Sequence, residues 1–206
     1  MSIKAPKQQI REQVASGSYP ARCYQMIHIG TIPSTYEGLT RMRNVIRITF
    51  ELPTETKVFN EKVGEQPLVI SAEYTLSLGD KSKLKPVLEG WRGKKFTDSE
   101  IEDFDITKLV GVPAMISIIH NEKGYAEISS ISKLPKGMEC PKQVNENQVL
   151  EYDNWNEELF SKLPIFLRDK IVQSEEYKKL KGILNDEIPV LNDDNSEEIS
   201  IENIPF

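Results

Sequence analysis

The sequence predicts a mainly β protein: a five-stranded Greek-key barrel with a helix between its third and fourth strands, then C-terminal helices and an acidic, disordered tail. Three observations carry this expectation. Five runs alternate apolar and polar residues with the period of two that sends successive side chains to opposite faces of a sheet. Apolar residues fall at helical spacing between the third and fourth runs, and again beyond residue 155. The charge is also unevenly spread. The chain has 26 Lys and Arg against 32 Asp and Glu, a net −6, but residues 186–206 hold seven of the acids and no Lys or Arg, so the rest is near neutral at +1.

Residues 1–18 are polar and mixed, which reads as a short helix or a loose arm. Residues 19–138 form the strand-rich domain. Its first run, residues 21–32, sets Cys23, Ile27 and Ile29 on one parity and Arg22, Tyr24 and His28 on the other. A loop with Pro33, Ser34 and Gly38 follows. The second run, residues 41–52, opposes Met42, Ile46, Ile48, Phe50 and Leu52 to Arg41, Arg43, Arg47, Thr49 and Glu51. After a polar excursion at 54–66, residues 68–78 align Leu68, Ile70, Ala72, Leu76 and Leu78.

Residues 81–90 read as a helix through Leu84, Val87 and Leu88, kept short by Pro86. A second helical piece, 98–104, has Thr97 as its cap. Strands at 112–120 and 125–134 flank the turn Asn121-Glu122-Lys123-Gly124. Three strands, a helix and two strands is the connectivity of an OB-fold, whose closure abolishes sheet edges. Pro135, Gly137 and Pro141 end it. Residues 139–154 read as a linker without periodicity and 155–184 as a helical segment. There Pro164 sits in a first turn, and Ile165, Leu167, Ile171 and Val172 lie near one stripe that Tyr177, Leu180 and Leu184 continue. Residues 185–206 are the tail, in which like charges repel and little aromatic surface is left to bury.

Several classes of function are disfavoured. No apolar run reaches the ~18 residues of a membrane span, and residues 1–17 lack the apolar centre of a signal peptide. Cys23 and Cys140 are far apart with no CxxC spacing, as in reduced thiols of a cytosolic protein. His28 and His120 form no ligand pattern, so neither metal nor cofactor is expected. There is no Walker loop, GxSxG or paired Cys/His signature, and the acids Glu100, Glu102, Asp103 and Asp105 read as a solvated helix face; the chain is not expected to be an enzyme.

Binding single-stranded nucleic acid without sequence preference requires cations along a groove and aromatic faces for bases. Arg41, Arg43 and Arg47 share the polar side of the second strand, on the surface that OB-folds use for oligonucleotides. Arg22 and Tyr24 on the first strand, Tyr36 in the first long loop and Tyr125 beside the last turn extend the candidate surface. The basic stretch adds Lys81, Lys83, Lys85, Trp91, Arg92, Lys94 and Lys95. A body at only +1 makes local clustering, not global charge, the source of any affinity.

The tail closes on Ile204-Pro205-Phe206, an apolar hook beside a free carboxylate. An acidic tail with this ending resembles the C-terminal tip of bacterial single-stranded DNA-binding proteins. The final tripeptide matches in full, while Asn203 stands where that family usually has an acid. The resemblance covers the tail alone. It implies that Ile204, Pro205 and Phe206 dock replication or repair proteins (a polymerase, helicase or recombinase) and that the tail competes with DNA for the groove. The body also resembles phage-encoded replication-associated proteins with an expected OB domain. The likeness lies in residues 67–78, in Leu88-Glu89-Gly90-Trp91-Arg92-Gly93-Lys94-Lys95-Phe96 and in Leu163-Pro164-Ile165-Phe166-Leu167. It implies a viral origin and a place in host bacterial cytoplasm.

The resulting expectation is a single-stranded DNA-binding protein of a phage-like replication or recombination system, with self-association into a homo-oligomer left open. The alternative is an OB-like structural or adaptor module that makes protein contacts, as in a virion. RNA binding shares the physics of the first reading.

Overall fold

A computed structural model describes residues 13–36 and 38–183, with the side chain of Tyr36 outside the described set. Two long strands organise the sheet. β1 (Gly17–Tyr36) and β2 (Leu39–Asn60) run antiparallel, and β3 (Gly64–Thr75) pairs with β2 on its other side. The stretch with Pro33, Ser34 and Gly38, expected as a loop, is instead the end of a hairpin: Pro33 pairs with Met42, Ser34 with Arg41 and Tyr36 with Leu39. The excursion at 54–66 is likewise a second hairpin arm, with Lys57 opposite Gln66 and Asn60 opposite Gly64. Both arms escape a reading based on alternation because neither face is buried by a core there, and polar residues serve on both sides.

β1 changes which face it buries. A bulge between Cys23 and Gln25 inserts one residue, and a second follows between His28 and Gly30. Ala21, Cys23 and Met26 therefore pack into one core, while Ile27 and Ile29 pack into another on the opposite face. This corrects the single parity expected for Cys23, Ile27 and Ile29, since one extra residue inverts every side chain that follows.

The first core holds the apolar face of β2 (Ile46, Ile48, Phe50, Leu52) and α1 (Leu84–Arg92), which buries Leu84, Leu88 and Trp91. Pro86 lies in the first turn of α1, where its missing N–H has no partner to lose, so the helix is short but unbroken. α2 (Asp98–Asp103) starts in a capping box: Thr97 accepts from Glu100 N, and the Glu100 side chain accepts from the Thr97 N–H. A 3₁₀ turn at Ile106–Leu109 leads to β4 (Pro113–His120) and β5 (Ala126–Ser132).

Strand order is β3-β2-β1-β4-β5, with β6 (Gln148–Leu150) added in parallel beside Gln25–Ile27 of β1. The described chain is thus mainly β, an open six-stranded sheet that is antiparallel apart from β6, with short helices; the closed barrel expected from the sequence does not form. β3 and β5 approach one another but share no ladder. The exit of β5 is bound to α1 instead: Lys133 N donates to Gly90 O at 2.8 Å. Gly90 allows this approach, because a Cβ there would stand 2.6 Å from the Ile131 carbonyl oxygen.

The second core lies on the other face of the sheet. α3 (Glu157–Lys162), α4 (Ile165–Val172) and α5 (Glu175–Leu180) bring Phe160, Leu163, Leu167 and Ile171 against Ile27, Ile29, Val45 and Leu150. Each fully buried side chain of this size contributes about 1.5–3 kcal/mol. Gly30, at φ +94°, lets α5 come close, since a Cβ would meet Glu176 Oε2 at 2.6 Å and Ser174 Cβ at 2.8 Å. The Glu176 carboxylate accepts from Thr31 N at 2.6 Å and Thr31 Oγ1 at 2.7 Å, and Tyr152 donates to Ile29 O at 2.8 Å. Among the described residues, no helix is long and apolar enough to cross a membrane.

Candidate nucleic-acid interface

The polar side of β2 was the expected ligand surface, and much of it is covered. At its upper end Glu51 is fully buried, and its carboxylate accepts from Val144 N (2.7 Å), Asn145 N (2.8 Å) and Asn145 Nδ2 (2.7 Å). A polar chain runs alongside: Ser71 donates to Thr49 (3.0 Å), Thr49 to Gln25 (3.2 Å) and Gln25 to Gln148 (2.6 Å), tying four strands together. The segment expected to be a free linker thus lies on the sheet, and it contains β6. Three residues are too few for alternation to register β6 in a sequence.

Below that cover the surface opens. Arg47 donates to Glu73 at 3.0 Å, and Lys170 of α4 donates to both Glu73 oxygens at 2.9 and 2.8 Å. The Arg47 guanidinium stands 5.6 Å from the centre of the Phe166 ring. Tyr24, at the first bulge, senses both neighbouring charges: burial raises its phenol pKa, Glu51 raises it further and Arg47 draws it back. Beyond Val45, which lies under the helices, Arg43 is held by Thr75 Oγ1, which accepts from Nε at 2.9 Å and from Nη2. Arg41 lies farther out, on the first arm opposite Ser34, and is exposed.

Arg43 forms one wall of a cleft of about 540 Å³ whose other walls include Glu73, Tyr74, Thr75, Asp80, Lys81 and Lys83. Its volume lies within the range of ordinary ligand sites. Burial raises the Tyr74 phenol, which stays protonated and able to donate a hydrogen bond. Asp80 is engaged by Lys85 at 3.1 Å, and Glu73 by Arg47 and Lys170. Among the described residues, Arg43, Lys81 and Lys83 have no carboxylate within ion-pair distance. The cleft is therefore net cationic, although the body of the chain is nearly neutral.

The other sequence candidates lie elsewhere. Arg22 clamps backbone, donating to the carbonyls of Pro141 (2.6 Å), Gly111 (3.0 Å) and Cys140 (3.1 Å). Trp91 is 2 % exposed, donates to Pro113 O at 3.0 Å and packs on Phe50 at 5.1 Å, so no base can reach its ring. Arg92 lies over Phe96 (4.1 Å) and Phe104 (4.8 Å) and pairs with Glu100 at 2.6 Å. Lys94 also pairs with Glu100, at 2.7 Å, and Lys95 is exposed beside it. These residues sit at the C-terminal end of α1, about 13 Å along the helix from Lys83. The basic run is thus divided between two places. Tyr125, 59 % exposed, follows the turn after β4, at the opposite end of β1 from Arg41 and Arg43. Ring Tyr36 and the tip Ile204-Pro205-Phe206 lie outside the described residues.

Phe166 and Lys170 were not among the sequence candidates. Their one available signal was their neighbourhood: an apolar pair, Ile165-Phe166, at the start of a helix whose buried stripe needs only Leu167 and Ile171. Burial pushes the Cys23 thiol up to about 12, so it is inert at neutral pH. Comparison with known protein families, curated proteins and solved structures returns no match for this chain.

Proposed function

We propose that this protein binds single-stranded DNA in a replication or recombination process of phage type. The observation that carries the proposal is the cleft where Arg43, Lys81 and Lys83 converge without carboxylate partners, next to Arg47, Lys170 and an exposed aromatic ring. Cations fixed along a surface with an aromatic platform beside them are what sequence-independent strand binding uses. The strand order β3-β2-β1-β4-β5, with α1 between β3 and β4, supports an OB-like reading in which the seam between β3 and β5 stands open.

In this reading the strand follows Arg41 and Arg43 on the first arm, enters the cleft and passes toward α4. The acidic segment 186–206 competes for the same cations, and Ile204-Pro205-Phe206 recruits a polymerase, helicase or recombinase when DNA displaces it. Fluorescence anisotropy with labelled oligo-dT at ~50 mM salt tests the proposal. Saturable binding is expected, with the slope of log K against log salt falling by ~0.7 for each of Arg43→Ala, Lys81→Ala and Lys83→Ala. Absence of binding at that salt overturns the reading. Deleting residues 186–206 is expected to tighten binding at low salt; unchanged affinity removes the competition from the scheme. Oligo-U as competitor separates RNA from DNA preference.

A second reading, an OB-like adaptor or structural module, is favoured by the exposed apolar residues of both arms: Leu39 and Met42 on one, Val58, Phe59 and Val63 on the other. It predicts no oligonucleotide binding at all.

A further inference from the structure

Two cations share the Glu73 carboxylate. Arg47 Nη1 reaches one oxygen at 3.0 Å, and Lys170 Nζ reaches both. The pairing is partly open to water, with the Arg47 and Glu73 side chains 22 % and 27 % exposed and that of Lys170 40 %, so an incoming anion can reach the cations. Two positive charges on a single negative one leave the junction of β2, β3 and α4 with a surplus of cation. Phe166 stands beside it, its ring 5.6 Å from the Arg47 guanidinium and the residue 52 % exposed. Its helix neighbours Leu167 and Ile171 are buried, so Phe166 is not required to hold α4 on the sheet.

The chemistry of this junction matches a nucleotide. A phosphodiester offers two anionic oxygens, as a carboxylate does, and it brings a base on a short tether. We propose that the junction is a nucleotide subsite: Arg47 and Lys170 exchange the Glu73 carboxylate for a backbone phosphate of single-stranded DNA, while the attached base stacks on the open side of Phe166. Glu73 is then a resident competitor that holds the two cations in place when no strand is bound. The C-terminal helices become part of the binding surface through α4. Glu73 also lines the cleft that holds Arg43, Lys81 and Lys83, so its release from the cations opens one continuous path. This inference rests on the single-stranded DNA reading and adds the residues that would act at one end of the site.

The test compares oligo-dT binding by the full chain and three single variants across a salt series. Glu73→Gln keeps the side-chain volume and removes the charge. It is expected to bind about three- to tenfold tighter at low salt, with a slope steeper by ~0.7 because the resident anion no longer offsets one of the two cations. Lys170→Ala is expected to flatten the slope by ~0.7. Phe166→Ala is expected to weaken binding about tenfold with the slope unchanged, because a ring is lost and no charge. A structural role would shift melting temperature, with the salt slope unchanged for Glu73→Gln and Lys170→Ala and the affinity unchanged for Phe166→Ala. If the unaltered protein does not bind oligo-dT, the proposed function itself fails. If it binds while Glu73→Gln leaves affinity and slope unchanged, or Phe166→Ala leaves affinity unchanged, the subsite is wrong and the broader reading stands.

Discussion

Replacing Glu51 by Ala removes the anchor that holds residues 144 and 145 onto β2. The carboxylate has no exposed surface and accepts from three donors at 2.7–2.8 Å. A hydrogen bond to a charged acceptor contributes ~1.5–3 kcal/mol, and a buried donor left without a partner costs ~1–3 kcal/mol. The Val144 and Asn145 groups are only part-buried, so water relieves some of that loss and the expected cost is roughly 3–5 kcal/mol. At ~2–4 °C per kcal/mol for a domain of this size, the melting temperature falls by roughly 6–20 °C. Glu51→Gln, which keeps a single carbonyl acceptor, should fall between the variant and the parent. Urea and thermal unfolding followed by circular dichroism supply both numbers. Glu51→Ala within about 1 kcal/mol of the parent would mean that the 141–147 segment is held by other contacts and that burial of Glu51 is incidental.

Two further outcomes are expected. Trp91→Phe should lose roughly 1–3 kcal/mol of stability through the missing indole N–H bond to Pro113 O and the lost volume beside Phe50, and should leave oligo-dT affinity unchanged; a drop in affinity without a drop in stability would return Trp91 to the interface. The Glu100 carboxyl is held down to about 2 from its ordinary 4.5, first by Lys94, then by the Thr97 N–H and Arg92. A depressed native value means the unfolded chain takes up the proton more readily, so this stabilisation is complete above about 4.5 and is lost as the pH falls toward 2. The urea midpoint of the parent should therefore decline across that window more steeply than that of Glu100→Gln, and parallel declines would show that the cluster at the end of α1 does not couple to folding.

How far a sequence can be read depends on how local the controlling interaction is. The cap at Thr97 was legible because a capping side chain acts on the turn it opens, and the helix between β3 and β4 was legible because three apolar residues recur at its own period. The basic run 81–95 reads as a single patch, yet α1 carries its two ends apart and commits Arg92 and Lys94 to Glu100. Trp91 illustrates the same limit. Its type suits a base-stacking role and a core role equally, and only its position over Phe50 decides between them. The cleft itself joins β2 with a turn more than thirty residues later, which no spacing rule connects.

By itself the sequence determined the β-rich class, the place of the first helices, the buried side of β2 and the concentration of acid in residues 186–206. These follow from period, capping and composition, which act between near neighbours. The tertiary structure alone decided that the sheet stays open, that β1 serves two cores and that the C-terminal helices cover part of the arginine face. It also decided that Glu73 stands between Arg47 and Lys170. A bulge, a missing ladder and a shared carboxylate are contacts between distant parts of the chain, and their energies depend on where the backbone has already been placed.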